Sequence, residues 1–457
     1  MNKALSPKTK TATRKWKPYP AYKDSGIPWL GKIPAGWEAK PFKRLGNFQG
    51  GAGFPDDKQG LTDEKLPFYK VSDTNLESNE VFMVVHNNSI SRDTAARLHA
   101  FVFPSNTIVF AKVGATLLLN KRRILVCKSC IDNNMMGFIP KSCDVKWAYY
   151  WMCGLDLGKL ANPGAVPSVN EGQLRDIPVP VPSQREQRAI AAFLDRETKR
   201  IDGLIGKKER LIELLQEKRI ALISHAVTQG LDPHAPMKDS GIPWLGKIPA
   251  GWEAKRLRFL IKCNPQKNEI NSMSASAIVS FVPMEMVEEY GGLRLEETKQ
   301  LEDVINGYTY FRDGDVVVAK ITPCFENGKG AIAENLENGI GFGSTELHVL
   351  RPGVEFNKKY LFYLTMSHAF RKIGASWMYG AGGQKRVPDD FVKNLVHPIP
   401  SVPEQESIAA FLDRETERID GLIGKIREAI DKLREYRAAL ISAAVTGKID
   451  VRGEATT

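Results

Sequence analysis

"KDSGIPWLGKIPAGWEAK" fills residues 23–40, and the same eighteen residues return unchanged at 238–255, an offset of 215. Two copies of one sentence, with mostly unrelated text between them, mark an internal duplication, and a duplication points to a repeated structural unit. A second pair enlarges that unit. "REQRAIAAFLDRETKRIDGLIGKKERLIELLQEKRIALISHAVTQGLD" parallels "PEQESIAAFLDRETERIDGLIGKIREAIDKLREYRAALISAAVTGKID", with Ile190 facing Ile408 at an offset of 218. The chain is one plan written twice: front motif, long insert, long helix.

The inserts, residues 41–176 and 256–394, diverge widely but keep landmarks. "SNTIVFAK" ends at Lys112 and "DGDVVVAK" at Lys320. Each predicts a turn followed by an apolar β-strand. Their offset is 208, so loop-length changes on either side compensate. Each insert closes on a proline-broken extended stretch, "IPVPVPS" or "VHPIPS", which reads as a linker into the helix.

The helices have a seven-residue apolar register. Leu194, Ile201, Leu215 and Leu222 share it in the first, with Lys208 in one slot, and Leu412, Ile419, Ile426, Leu433 and Leu440 fill it in the second. Such a register predicts a coiled-coil seam. About 40 residues of helix give roughly 60 Å, and neither helix can bury its stripe alone. The expected partner of each is the other, with two globular domains held apart by the pair.

Bulk properties agree with a soluble binding protein. A chain of 457 residues exceeds one ordinary core, and its net charge of +11 favours a polyanionic partner. No apolar run approaches the roughly 18 residues of a membrane span. The Lys- and Thr-rich start lacks a secretory h-region, so a cytoplasmic location is expected. The six cysteines then read as thiols.

Catalytic signatures fail one after another. The chain has no Pro-Pro dipeptide, whereas an amino-methyltransferase shapes its base pocket with an Asp/Asn-Pro-Pro-aromatic motif. "GIGFGS" leads into strand text where a nucleotide-binding glycine loop needs a helix. "ENGKG" lacks the rest of a phosphate loop. Asp56-Asp57 and Asp389-Asp390 read as loop acids. Cys127, Cys130, Cys143 and Cys153 have poor zinc spacing and no counterpart in the second insert. No catalytic residue and no metal ligand is assigned.

Binding remains. Lys112, Lys121, Arg122 and Arg123 cluster in the first insert, echoed by Lys320 and Lys329 in the second. "WMYGAGGQKRVP" adds Tyr379, Gln384, Lys385 and Arg386. Arginine and lysine suit guanine edges and phosphates, and glutamine suits adenine. These ten are the candidate DNA contacts.

The doubled "KDSGIPWLGKIPAGWE", the passage "PIPSVPEQESIAAFLDRET" with "RIDGLI", and "GDVVVAKITPCFENGKGAI…GFGSTELHVLRP" resemble the specificity subunit of a type I restriction–modification enzyme. The first insert keeps the strand pattern but not the Thr-Pro-Cys turn. The resemblance implies an α+β fold: two mixed α/β target-recognition domains separated by two long antiparallel coiled-coil helices, with a pseudo-two-fold internal repeat. It divides the chain into a basic flexible tail (1–22), a first recognition domain (23–182), a central spacer helix (183–232), a second recognition domain (233–400) and a C-terminal spacer helix with its tail (401–457). It further implies that the chain is not catalytic and holds no cofactor. The implied partners are double-stranded DNA, two modification subunits that bind S-adenosylmethionine and methylate adenine, and two restriction subunits. The seam residues Leu194, Ile201, Leu215, Leu222, Leu412, Ile419, Ile426, Leu433 and Leu440 then belong to the surface on which partners dock. A stand-alone DNA-binding regulator and a self-sufficient methyltransferase are the competing readings.

Overall fold

The helix text forms two helices, Gln184–Gln229 and Val402–Val445, of 46 and 44 residues. At 1.5 Å per residue they run roughly 69 and 66 Å. The computed structural model describes residues 16–162, 164–381 and 383–456. It resolves two units, one holding the chain up to Lys208 together with Glu428 onward, the other Glu209–Arg427. Each unit therefore owns half of each long helix.

Within the first unit, Leu194 and Ile201 bury beside Leu440 and Ile441, and Asp202 meets Arg437 at 2.8 Å. Within the second, Ile223 and Val227 bury with Ile408 and Leu412, and Arg219 meets Asp420 at 2.6 Å. In both units the N-terminal part of one helix pairs with the C-terminal part of the other, so the helices are antiparallel. The two ion pairs occupy the same repeat positions, Asp202 matching Asp420 and Arg219 matching Arg437. Part-exposed pairs of this kind are worth about 1 kcal/mol or less, so apolar burial carries the association. The expected seam is graded. Leu194, Ile201, Leu412, Ile419 and Leu440 are buried, while Leu215, Leu222, Ile426 and Leu433 are half-buried.

The inserts fold into heads with one shared sheet order. In the first unit the strands run Gly46–Gly50, Met135–Pro140, Ile108–Ala111, Arg122–Leu125, with Phe82–Met83 added as a fifth, parallel strand. In the second they run Ile261–Cys263, Leu347–Pro352, Val316–Ala319, Gly330–Ile332. The central apolar runs of the sequence, Ile108–Ala111 and Val316–Ala319, are buried at every position. Both faces are covered, which explains why neither shows polar alternation.

The duplicated text turns out to be the fastening. A short buried helix in each head, Val145–Cys153 or Lys358–Met366, lies on the long-helix pair. The Tyr150 hydroxyl donates to Asp195 at 2.8 Å and lies 3.1 Å from the Thr198 hydroxyl; Tyr363 repeats this with Asp413 and Thr416 at 2.7 and 3.2 Å. Gln187 accepts from the Asp144 amide at 2.7 Å and donates to the Pro182 carbonyl at 3.0 Å. Gln405 does the same for Asn357 and Pro400, at 2.8 and 3.0 Å. Thus the "EQ…AAFLDRET" text spells the sockets into which the heads seat.

The front motif has an equally local task. Its strand Glu38–Pro41 pairs antiparallel with Pro178–Val181, and Glu253–Arg256 pairs with Val396–Ile399. The proline-broken segments expected as linkers are therefore short strands clamped by the repeat. Trp37 and Trp252 are buried in the main cores of the two units. The helix-ending glycines, Gly447 and Gly230, take positive φ and press against these tryptophans and against Pro34 and Pro249. A side chain there would be both strained and obstructed.

The segment expected as a flexible tail needs correction at its inner end. Trp16 stacks edge-on against Phe193 with centroids 4.8 Å apart, and Tyr19 is buried with its hydroxyl donating to Glu186 at 2.7 Å. Large aromatic rings gain too much by burial to stay in water. Residues 1–15 lie outside the described residues.

His397 differs between the repeats, for its counterpart is the buried Val179. Its Nε2 lies 3.0 Å from the Val227 carbonyl, and burial pushes its pKa down to about 4. The unfolded ring titrates near 6.5. Acid therefore favours the unfolded chain: the stabilising term is whole above about pH 6.5 and is lost as pH falls towards 4. His397→Val should flatten that loss, which is on the order of 3 kcal/mol, in denaturation curves of the second unit taken across this range.

Candidate nucleic-acid interface

In each head the central strand ends on its lysine, and a hairpin comes to lie beside it. In the second head the hairpin is closed by the Tyr379–Arg386 bridge and joined to the strand end by the Ile321–Arg386 bridge. The Val387 amide donates to the Lys320 carbonyl at 2.8 Å, and the Thr322 amide to the Lys385 carbonyl at 2.9 Å. Lys320, Tyr379, Gln384, Lys385 and Arg386 are thereby brought together. Tyr379 is 65% exposed, and Gln384 and Lys385 are exposed. Glycines at 380 and 383 take the positive φ that the hairpin requires.

Arg386 is not free. Its guanidinium grips the Glu346 carboxylate through Nε and Nη2 at 2.9 and 2.7 Å, and this holds the carboxyl below its usual range. Tyr379, Gln384 and Lys385 are the candidate side chains that the hairpin leaves exposed, joined through its backbone to the half-buried Lys320.

The first head contains the same device, which the residue types did not reveal. A hairpin closed by the Asn162–Ser168 bridge joins the strand end through Val113–Ser168. The Val169 amide donates to the Lys112 carbonyl at 2.9 Å and the Gly114 amide to the Pro167 carbonyl at 2.9 Å. The available signal was positional: counting back from the repeated helix at the 218 offset, Ser168 takes the place of Arg386. The half-buried Lys112 matches Lys320 in every backbone contact named here.

Two of the expected DNA contacts in the first head, Arg122 and Arg123, are corrected. Arg122 is 1% exposed, and its guanidinium donates to the carbonyls of Asn120 and Leu155. Burial pushes its pKa down. Arg123 is likewise held by carbonyls, at 2.8 Å to Arg122 and 2.9 Å to Thr74. These two arginines staple the strand to neighbouring loops and do not face solvent as a cluster. Lys121 is tied to Asn75, and in the second head Lys329 donates to the Met284 carbonyl at 3.0 Å. Arg122 and Arg123 are neighbours on one strand, so alternation sends them to opposite faces.

Of the seam residues, Leu215, Leu222, Ile426 and Leu433 keep part of their surface, and Leu204, Leu211, Leu214 and Leu422 are exposed beside them on the long helices. The cysteines are free thiols: Cys130 belongs to a small core with Leu66 and Phe68, and Cys143 and Cys153 pack on the main core. Among the described residues, no group of three or more His, Cys, Asp or Glu side chains is placed to hold a metal, and no helix is long and apolar enough to cross a membrane.

Two heads of one scaffold with unlike faces, each seated on a duplicated socket, define a two-domain recognition protein. The profile of the type I restriction modification DNA specificity domain matches this chain twice, over residues 34–214 and 252–432, and the chain belongs to that family. It is 38% identical over 200 residues to the type I restriction enzyme EcoAI specificity subunit of Escherichia coli, and 37% identical over 199 residues to the EcoEI specificity subunit of the same organism. Each match covers 43% of this chain but only 33% and 31% of those relatives, about a third of their length. The MjaVIII specificity subunit of Methanocaldococcus jannaschii is 27% identical over 293 residues, covering 63% of this chain and 65% of that one. Among solved structures, a chain described in work on complex assembly and conformational transition of the type I R-M system aligns over 90% of this chain and 98% of its own, with a TM-score of 0.65 at 14% identity. The HsdS subunit from Thermoanaerobacter tengcongensis aligns over 91% and 98%, with a TM-score of 0.50 at 15% identity. At those identities the likeness is one of fold.

Substitutions should separate the staples from the surface bases. Arg122→Met leaves carbonyls unpaired in the core and should destabilise the first unit by about 2–3 kcal/mol in chemical denaturation. Lys385→Ala should leave stability within about 0.5 kcal/mol while lowering the salt slope of DNA binding by about 1.

Proposed function

We propose that this chain is the non-catalytic subunit that gives a type I restriction–modification complex its DNA sequence specificity. Each head reads one half of a bipartite, non-palindromic site, the long helices set the gap between the halves, and two modification subunits dock on the repeated frame. S-adenosylmethionine binding and adenine methylation then belong to those subunits, and two restriction subunits complete the assembly in the cytoplasm. One observation carries the reading: identical sockets hold heads whose exposed residues differ. A frame kept the same twice suits two copies of one partner, and faces that differ suit two different half-sites. The net charge of +11 fits a DNA ligand whose affinity rests largely on phosphate neutralisation.

Purified alone with labelled S-adenosylmethionine and DNA, the chain should incorporate no label. With modification subunits it should direct methylation to one bipartite sequence, read by methylome sequencing. Label incorporated by the chain alone would overturn the reading, and a specific complex with short duplexes that needs no modification subunit would favour a stand-alone regulator. The spacer role is tested separately. Inserting one heptad into both long helices, after Lys208 and before Glu428, adds roughly 10 Å. The preferred gap should lengthen by about 3 base pairs at 3.4 Å each, and an unchanged gap in the methylome would count against the helices as a ruler.

A further inference from the structure

The backbone contacts around the two strand-end lysines match so closely that the heads can be compared position by position. The Gly114–Pro167 and Thr322–Lys385 amide-to-carbonyl bonds, both 2.9 Å, place Pro167 where the second head has Lys385. Val166 therefore stands in the place of Gln384. Along the other rim, the segment after each lysine is aligned at the 208 offset from Lys112 and Lys320 through Lys121 and Lys329. Leu118 and Leu119 there stand in the places of Glu326 and Asn327.

The first head exposes apolar side chains at these positions. Val166 is 59% exposed, Leu118 52% and Leu119 58%. Leu118 lies against Gly158, where an added Cβ would come within 3.0 Å of its Cδ2, in the short helix that leads into the hairpin. In the second head, Glu326, Asn327, Gln384 and Lys385 are all exposed. Residues that are polar and hydrogen-bonding in one head are thus aliphatic in the other, beside lysines that make the same backbone contacts.

We propose that the two heads read DNA by opposite chemistry, the first selecting thymine C5-methyl groups through Val166, Leu118 and Leu119, the second selecting base-edge donors and acceptors through Gln384, Glu326 and Asn327. This rests on the reading of the heads as base readers. The major groove presents one large apolar group, the thymine methyl, and aliphatic side chains match it by excluding water. Glutamine and asparagine match the paired donor and acceptor of adenine, and glutamate accepts from the cytosine amino group. Lysines 112 and 320 hold the neighbouring phosphates in either case, so affinity is shared while discrimination differs.

The test replaces thymine by uracil, which pairs identically but lacks the methyl. Once the bipartite site is known, duplexes carrying uracil in one half-site or the other are titrated with the complex of this chain and its modification subunits. One half-site should lose about fourfold in affinity per contacted methyl, the weight of one buried CH2 group, and the other should not respond. Val166→Gln, a substitution at an exposed position, should reduce that response by about fourfold, the share of one contacted methyl, without loss of folding. Sequence-specific binding that ignores uracil in both halves, or a uracil response unchanged by Val166→Gln, would overturn this inference alone. Absence of any sequence preference would overturn the reading of the heads, and the inference with it.

Discussion

Everything in this protein depends on a small polar socket written twice. One long-helix carboxylate and one threonine hydroxyl hold a tyrosine of the head, while a glutamine a turn or two earlier caps the head's helix and ties down the incoming proline segment. The threonine and glutamine are buried, and bonds to such groups are costly to leave unmade, so they fix where a head sits on its helix as well as holding it there. Asp195, Thr198 and Gln187 in the first unit and Asp413, Thr416 and Gln405 in the second make the same contacts to within about 0.1 Å. The rest of the head is then free to vary.

That freedom is visible in the sheets. Four strands keep one order in both heads, but the first adds a fifth strand, and the second sheets of the two heads differ in strand number and connection. Trp37 and Trp252 lie under identical text, yet the glutamate at the helix start bonds the tryptophan indole in the second unit and a tyrosine hydroxyl in the first. The repeat tolerates exchange of partners around a fixed carboxylate. What it does not exchange is the antiparallel Asp–Arg pairing of the helices, present in both units.

Much of this was legible in the residues because duplication is a strong signal. The long helices, their pairing with each other and the separation into repeated halves followed from the seven-residue register and the recurring text, whereas the antiparallel sense came from the family resemblance. The candidate site was less legible. Lysines and arginines in a row suggested a basic cluster, but only three-dimensional packing showed that Arg122 is a buried staple and that Arg386 is engaged by Glu346. The first head's hairpin escaped notice because its residues, a valine, an alanine and glycine among prolines, bear no charge. Its identity lies in backbone hydrogen bonds to Lys112 and Gly114, which composition does not encode.

Two sockets with the same contacts should make the frame indifferent to which head it carries. Grafting the second insert, residues 256–394, into the first frame in place of residues 41–176, and sequencing the methylome produced with the modification subunits, puts this to the test. A folded chain should direct methylation to an inverted repeat of the second half-site. A folded chain that still modifies the original asymmetric sequence would contradict it.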